Sequence, residues 1–575
     1  MIQEIKKNII DLLTAAGVMG DIELSSPPKP EMGDFAFACF GIAKEKGENP
    51  ATAAKNLVEK ISPPVDGEED LIVKVQAFGP YVNFFVDSQE LAKTVLKNIL
   101  ENKKFGTHTF GQGQTILVEY ACPNPMKVFH LGHLRNLITG EAMARILENA
   151  GYDVKRVNYQ GDVGMHIAKS LWGINQMNDV FASMKNKSVE EQVAFLGKAY
   201  ALGATKFEED AATQAEILEY NRKIYEHDWE IQDVYQTARV WSLEYFDTIY
   251  TKLGTRFDRL YFESEVFNEG KKMVLDGLEK GIFKKSDGAI IFPGSECGLH
   301  DRVFINSQGF PTYEAKDLGL AKLHFTEYKP DKVIHVVGKE QTEYFKVVFQ
   351  ALSVILPKTK DKELHLVGGY LQLKGDEKMS SRKGNVISGD ELVMSVENNV
   401  RKIMAERDIQ HKEFIVNKVS IAALKYTMLR VNASEDMAFD VQESVSISGD
   451  SGSYVLYIVT RIRSLLVKAG VLPNSIELNV SVKIPEEIGA EEKQLLLVLA
   501  RFSEVTQQAV NEFNPSVITK YVFALAQAFN VFYQTCSVLD AATEQKQFRL
   551  YLAQAVARVM TDGLYLLGIE TVEEM

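Results

Sequence analysis

Residues 115–160, TILVEYACPNPMKVFHLGHLRNLITGEAMARILENAGYDVKRVNYQ, decide the fold. TILVEYA (115–121) is a short apolar run of the kind that forms a buried strand. HLGHLRNLITGEAMARILENAG (130–151) has the pattern of a long amphipathic helix stopped by Gly151, and YDVKRVNYQ (152–160) is a second strand. A strand, a helix and a strand in this space make a βαβ unit, so the spacing predicts an α/β chain with a doubly wound, parallel, Rossmann-type sheet.

Working outward, residues 1–108 read as a small α/β module. Ile2, Ile5, Ile9 and Leu12 recur at helical spacing, Pro50 and Thr52 are placed to open a second helix, and LIVKVQAFGPYVNFFVD holds two β-rich runs broken at Gly79-Pro80. KKFGTHTFGQGQ reads as a linker. Residues 109–394 form the sheet domain, with a charge-rich helical insertion at about 175–255 and strands returning at GAIIFP, KVIHVV and ELHLVGGYLQL. Residues 395–575 are helical almost to their end.

Composition narrows the function. A chain of 575 residues is too long for one core, and its 46% hydrophobic and 25% charged content excludes a disordered or fibrous protein. A net charge of −14 excludes a uniformly basic coat for nucleic acid but leaves room for local basic strips. The four cysteines are scattered without a C-x-x-C pair, so neither a zinc site nor a disulfide framework is expected. No apolar run approaches the roughly 18 residues of a membrane span, and Asp11 interrupts the N-terminal apolar stretch. A cytoplasmic protein with reduced thiols and no membrane or DNA partner is the expectation.

Two motifs carry chemistry. His130-Leu131-Gly132-His133 stands at the mouth of a helix, where backbone N–H groups favour anions and Gly132 lets a ligand approach; the two imidazoles can donate to phosphate oxygens. Alone, an H-x-x-H pair could equally be chance or half of a metal site, although no third ligand is signalled nearby. Lys378-Met379-Ser380-Ser381-Arg382-Lys383-Gly384 is a basic loop able to close on a pyrophosphate, and alone would read as solvated surface. Together, some 245 residues apart, the two point to nucleotide chemistry.

Together they resemble the HIGH and KMSKS motifs of class I aminoacyl-tRNA synthetases. The run Val118-Glu119-Tyr120-Ala121-Cys122-Pro123-Asn124, then Phe129 and HLGHLRN, resembles the arginyl form, as do GDVG at 161–164, Tyr313 with Asp317-Leu318-Gly319, GDSGSYVLYIVTRIRS and the closing LLGIETVEEM. Ser381 departs from the usual lysine, and GDVGMH stands where GDWGTQ is common, so Val163 and His166 inherit no role.

The resemblance implies a Rossmann-type synthetase core, an N-terminal module that meets the tRNA elbow and a helical anticodon-binding domain. It implies ATP with Mg2+ as the phosphate counterion, L-arginine and tRNA(Arg) as substrates, no structural zinc, and a monomer. His130, His133, Lys378 and Arg382 would be catalytic, with Gly132, Met379, Ser380 and Ser381 also at ATP. Glu119, Asn124, Tyr313, Asp317 and Gln341 would take arginine, whose planar five-donor guanidinium needs carboxylates. Asp317 lies four residues after Tyr313, so on a helix the two share a face. Asn83, Phe85, Tyr454, Tyr457 and Arg461 would touch tRNA; Tyr454 and Tyr457 share a face on an acid-free cationic helix, a pattern suited to stacking bases or to a core helix with snorkelling cations. The rival readings are another class I synthetase, such as the cysteinyl enzyme, whose thiolate zinc ligands the scattered cysteines do not supply, and a non-catalytic tRNA-binding paralogue, which would be expected to have lost HLGH and Lys378.

Overall fold

The computed structural model describes residues 2–61, 71–374, 388–406, 409–471 and 483–575. In its N-terminal module, helix Ile2–Ala15 buries Ile2, Ile5, Ile9 and Leu13, so the stripe closes on Leu13 and leaves Leu12 half-buried. Helix Pro50–Lys60 opens with Pro50 in its first turn, and its cap is Asn49, which accepts from the Ala51 N–H at 2.9 Å, where Thr52 had been expected to help. Four antiparallel strands follow the order Leu24–Ser25, Phe35–Ala38, Tyr81–Val86, Ile72–Phe78.

The central sheet is parallel throughout, in the order Glu363–Gly368, Lys332–Gly338, Thr115–Glu119, Asp153–Gln160, Arg259–Phe262. Its first strand in the chain lies at the centre, and connections leave it in both directions. The switch point therefore falls between Thr115–Glu119 and Lys332–Gly338, where doubly wound sheets bind ligands at their C-terminal edge. Register sets Glu119 directly opposite His335 at that edge. Alternation divides the strand between two cores: Ile116 and Val118 pack with Leu134, Leu137 and Ile138 of helix Leu131–Asn149, while Leu117 packs on the other face with Val266 and Leu320.

GAIIFP does not join this sheet. Ala289–Phe292 is the middle strand of a separate antiparallel sheet with Lys284–Ser286 and Arg302–Ile305. ELHLVGGYLQL is also divided: Glu363–Gly368 is an edge of the main sheet, and Leu371–Leu373 pairs with Met437–Phe439. Helices run from Met165 to Lys252 between the strands Asp153–Gln160 and Arg259–Phe262. The KKFGTHTFGQGQ stretch is docked on the C-terminal helices, with Phe105 against Phe502 and His108 bonded to Thr506 at 2.9 Å.

Helix Tyr313–Glu327 meets helix Glu263–Glu279 through reciprocal glycines. A Cβ on Gly319 would lie 2.3 Å from the Val266 carbonyl oxygen, and one on Gly270 would lie 1.9 Å from the Ala315 carbonyl oxygen. Backbone cannot yield as a flexible side chain would, so Gly319→Ala should force the helices apart and destabilise the fold by about 1–3 kcal/mol. The expected readout is a lower urea midpoint; an unchanged midpoint would show that the helices tolerate a wider spacing.

Candidate active site

The connection from the central strand to the HLGH helix is tightly coiled. Ala121, Cys122 and Met126 all have left-handed backbones, with φ of 69°, 49° and 61°, a costly conformation for residues with a Cβ. The Cys122 N–H donates to Asn158 Oδ1 at 3.2 Å and the Met126 N–H to Ser242 Oγ at 2.9 Å, so neighbouring elements hold the turn in place.

The turn delivers His130 as the N-cap of helix Leu131–Asn149. Its Nδ1 accepts from the N–H groups of Gly132 at 3.1 Å and His133 at 3.3 Å, and His133 Nδ1 accepts in turn from the His130 N–H at 3.3 Å. The rings stack with centroids 3.6 Å apart. Expectation and structure differ here. The helix N–H groups are turned to His130 rather than left for an anion, and Gly132 makes room for the His130 ring, because a Cβ there would lie 3.0 Å from that ring. Each Nδ1 accepts, so each neutral ring carries its proton on Nε2. Burial, with the Lys127 charge adding to it, pushes His130 down to about 4, and burial holds His133 well below its ordinary value. The pair are therefore neutral N–H donors.

At the end of the strand that leads to them lies a cluster of acids. His335 Nδ1 is 2.9 Å from Glu119 Oε1, and His335 Nε2 is 2.9 Å from Glu363 Oε2. Burial alone would raise the Glu119 carboxyl, but the His335 charge and hydrogen bond outweigh it and hold the group low; the same partners raise His335 well above its ordinary value against the effect of burial. Glu119 Oε2 is buried and has no hydrogen-bond partner among the described residues. Tyr313 and Asp317 share helix Tyr313–Glu327, as expected. Asp317 Oδ2 accepts from the Tyr344 hydroxyl at 2.6 Å. Burial pushes the Asp317 carboxyl up to about 8, with the Glu119 charge adding to the rise and the Tyr344 bond opposing it.

Asn124 Oδ1 accepts from the Gly161 N–H at 3.2 Å, and Gln341 caps helix Thr342–Ile355 beside the switch point. Tyr313 is 57% exposed, its ring 5.0 Å from the Lys316 ammonium. The GDVGMH stretch is structural. Asp162 binds Ser264 and Arg239, Val163 is core, and His166 donates from Nε2 to the Gly161 carbonyl at 2.7 Å. Lys378, Met379, Ser380, Ser381 and Arg382 lie outside the described residues, but the chain resumes at Ser388, which bridges to His130, and the Gly389 N–H donates to the Phe129 carbonyl at 2.7 Å. Arg135 of the HLGHLRN run secures the approach to that stretch by donating to the carbonyls of Gly369 and Glu435, each at 2.7 Å.

Farther out, Asn83 is buried, donating to the Met32 carbonyl at 2.6 Å, so its side chain has no surface to offer an RNA. Phe85 is half-buried under the Lys74 ammonium. Tyr454, Tyr457 and Arg461 lie half-buried on helix Gly452–Lys468. Arg461 sits 4.6 Å over the Tyr457 ring and donates to Asn530 at 2.8 Å. Sequence reading missed His335, Tyr344 and the buried Lys316–Glu263 pair, 2.6 Å apart.

Three family models cover most of the chain: "Arginyl tRNA synthetase N terminal domain" at residues 1–86, "tRNA synthetases class I (R), catalytic domain" at 95–441, and "DALR anticodon binding domain" at 455–575. The chain belongs to the arginyl-tRNA synthetase family. Within this family it is similar to the arginine–tRNA ligase of Clostridium perfringens, 32% identical with 96% of this chain and 95% of the relative covered. It is also similar to the arginine–tRNA ligase of Clostridium kluyveri, 32% identical with 100% and 99% covered. The Thermus thermophilus arginyl-tRNA synthetase structure superposes with a TM-score of 0.79 at 25% identity over the whole of both chains. The Plasmodium falciparum arginyl-tRNA synthetase, 18% identical over 99% of both chains with a TM-score of 0.75, shares the fold.

The HLGH geometry has a direct test. At pH 6, where an ordinary histidine is largely protonated, His130 and His133 should both remain neutral with the proton on Nε2, as read from long-range 1H–15N correlations of 15N-histidine-labelled protein. A His130 imidazolium at that pH would contradict the capping geometry.

Proposed function

We propose that the chain activates L-arginine with ATP, giving arginyl-adenylate and pyrophosphate, and passes the arginyl group to the terminal ribose of tRNA(Arg). The observation that carries this reading is the acid pocket. Among the described residues, Glu119 at the end of the strand that leads to HLGH has a buried oxygen with no hydrogen bond, His324 Nε2 lying 4.0 Å away, and Asp317 makes no ion pair. A guanidinium is a permanently charged, planar donor that fits such a vacancy, with Asn124, Tyr313 and Gln341 bounding it.

Arginine held there directs its carboxylate at the ATP α-phosphate for in-line attack, and the pyrophosphate leaves. The Nε2–H groups of His130 and His133 donate to phosphate oxygens, fixed in place by their Nδ1 capping bonds, so little reorganisation accompanies the developing charge. Gly132, Lys378, Met379, Ser380 and Ser381 complete the ATP contacts, and Lys378 and Arg382 neutralise the leaving pyrophosphate. Among the described residues no cluster of three His, Cys, Asp or Glu side chains offers a metal a protein-only site, which suits Mg2+ carried on the nucleotide's own oxygens, where it neutralises phosphate charge.

The division at 1–108, 109–394 and 395–575 goes with this reading. Tyr454, Tyr457 and Arg461 form the anticodon face, supported by their partial exposure, and Phe85 takes the tRNA elbow in place of Asn83. The enzyme works as a cytoplasmic monomer. Charging of bulk tRNA with each of the twenty amino acids tests the whole: arginine alone should be esterified, and charging of another amino acid, or of none, would overturn it.

Three outcomes follow from the site. His130→Ala should slow adenylation by about 10²–10³-fold with little change in arginine affinity, measured by single-turnover kinetics. Arginine binding should release a proton. The Asp317 carboxyl titrates at about 8 in the free protein and a guanidinium favours its ionised form. The arginine KM should therefore fall as pH rises from 6, by up to about tenfold per unit, and level above about 8. A flat profile in ATP–pyrophosphate exchange would contradict the assignment. Tyr457→Ala should weaken tRNA binding roughly 5- to 150-fold, the range for one lost stacking platform; unchanged binding would make this tyrosine core packing.

A further inference from the structure

Among the described residues, the hydrogen bonds of the His335 ring go to Glu119 and Glu363 and not to a group assigned to ATP or tRNA. Both of its ring nitrogens face carboxylate oxygens at 2.9 Å, Glu119 on one side and Glu363 on the other, and Phe345 and Phe349 cover the ring with centroids at 5.2 and 5.6 Å. An ionised carboxylate can only accept, so the arrangement is satisfied by an imidazolium donating from both nitrogens. The cation occupies Glu119 Oε1; among the described residues Oε2 is buried without a hydrogen bond, with the Nε2 of His324, a ring that burial keeps low, 4.0 Å away. The charges of Glu119, His335 and Glu363 sum to −1, so the trio holds one uncompensated negative charge.

We propose that His335, braced by Glu363, is a positioning residue for arginine selection: it keeps Glu119 ionised and turns its Oε2 toward the guanidinium. This rests on the reading of Glu119 and Asp317 as the arginine acids. Without the imidazolium, Glu119 would be a buried carboxyl that has lost the charge and the hydrogen bond that offset its burial, and burial disfavours its ionised form. Glu119 would then take up a proton at neutral pH and lose its hold on arginine.

The other titratable groups facing the trio, Asp317 apart, do not obscure this. Burial keeps His324 low, at about 4, and His365 below its ordinary value, and it raises the Cys122 thiol and the Tyr159 hydroxyl well above theirs. All four are neutral across the range from pH 7 to 9. Asp317 titrates within that range as well, and because the His335 charge lowers it, His335→Gln should also move its titration upward. The ratio of the two KM values at each pH therefore reads the ionisation of the two arginine acids together.

The test is arginine-dependent ATP–pyrophosphate exchange, with tRNA saturating, for wild type, His335→Gln, Glu363→Gln and Glu119→Gln. Glutamine at 335 can still donate to Glu119 but carries no charge. His335→Gln should raise the arginine KM about tenfold at pH 7, the excess expected if the Glu119 carboxyl comes to titrate about one unit above that pH, and the excess should shrink as pH rises to 9, with the ATP KM unchanged. Glu363→Gln, which leaves the imidazolium in place with weaker bracing, should show a smaller excess of the same pH dependence. A KM excess that is constant with pH would reduce His335 to a packing role and overturn the proposal, as would wild-type KM values in both variants. If His335→Gln does not fold, Glu363→Gln decides by the same criterion. Should Glu119→Gln itself leave the arginine KM unchanged, the arginine-pocket reading fails first, and that outcome is separate from wild-type behaviour of the other two.

Discussion

A site for a guanidinium must hold carboxylates out of water before the ligand arrives, and a buried charge without a partner is among the costliest features a fold can carry. Much of the polar architecture here answers that constraint. Glu119 is compensated by His335, Glu263 by Lys316 at 2.6 Å, Asp162 by Arg239 at 3.1 Å, and Glu141 by Arg156 and Arg145 at 3.0 and 2.7 Å. Asp317 differs from these. A phenol is its partner, as Tyr245 is for Asp390, and burial raises its carboxyl to about 8. Under the proposed function, a cationic substrate would complete the set at Asp317.

The parallel sheet makes this possible because strand ends converge without their residues being near in sequence. Glu119 and His335 are 216 residues apart, yet ladder register places them side by side at the switch point. The same edge brings the HLGH turn to the pocket. The left-handed residues Ala121, Cys122 and Met126 shorten the path from strand to helix, and the His130 cap closes it. Capping uses Nδ1, and the proposed phosphate contact would use the opposite nitrogen of the same ring. Nδ1 is committed to the helix, which leaves Nε2–H free of tautomeric ambiguity.

Local pattern made the βαβ unit legible, because alternation, a helical stripe and Gly151 are all properties of contiguous sequence. It also made the Tyr313–Asp317 pairing legible, since four residues on a helix fix a shared face. Partners across the sheet were not legible. Nothing in KVIHVVG announces that its histidine will meet two glutamates, and a lone histidine in an apolar strand reads as ordinary core. GAIIFP has the composition of a strand, but composition does not say which sheet a strand joins, and here it closes a hairpin outside the main sheet. Asn83, expected at tRNA from the resemblance alone, is buried and donates to the Met32 carbonyl, a cross-strand neighbourhood that no contiguous pattern announces. Gly132 was rightly singled out, but the atom it makes room for belongs to His130.

The joint between the helical C-terminal region and the sheet domain obeys the same accounting of buried polar groups. The last turn of helix Thr543–Leu566 leaves carbonyls unsatisfied, and Arg145, from the helix that begins at His130, donates to the Tyr565 carbonyl at 3.2 Å and to the Gly254 carbonyl at 3.1 Å. Lys425, almost wholly buried, donates to the carbonyls of Leu253 and Gly568, and burial lowers it to about 7. Arg463 reaches the Val572 carbonyl at 2.6 Å. Arg145 also holds Glu141, whose other oxygen accepts from the Tyr120 hydroxyl at 2.9 Å, and Tyr120 follows Glu119 in the chain. Removing the final residues would strip the Gly568 carbonyl from Lys425 and the Val572 carbonyl from Arg463, both on helices of the helical region itself. The closing LLGIETVEEM stretch thus satisfies the helical region's own polar groups, while the bonds from Lys425 to Leu253 and from Arg145 to Tyr565 join that region to the sheet domain.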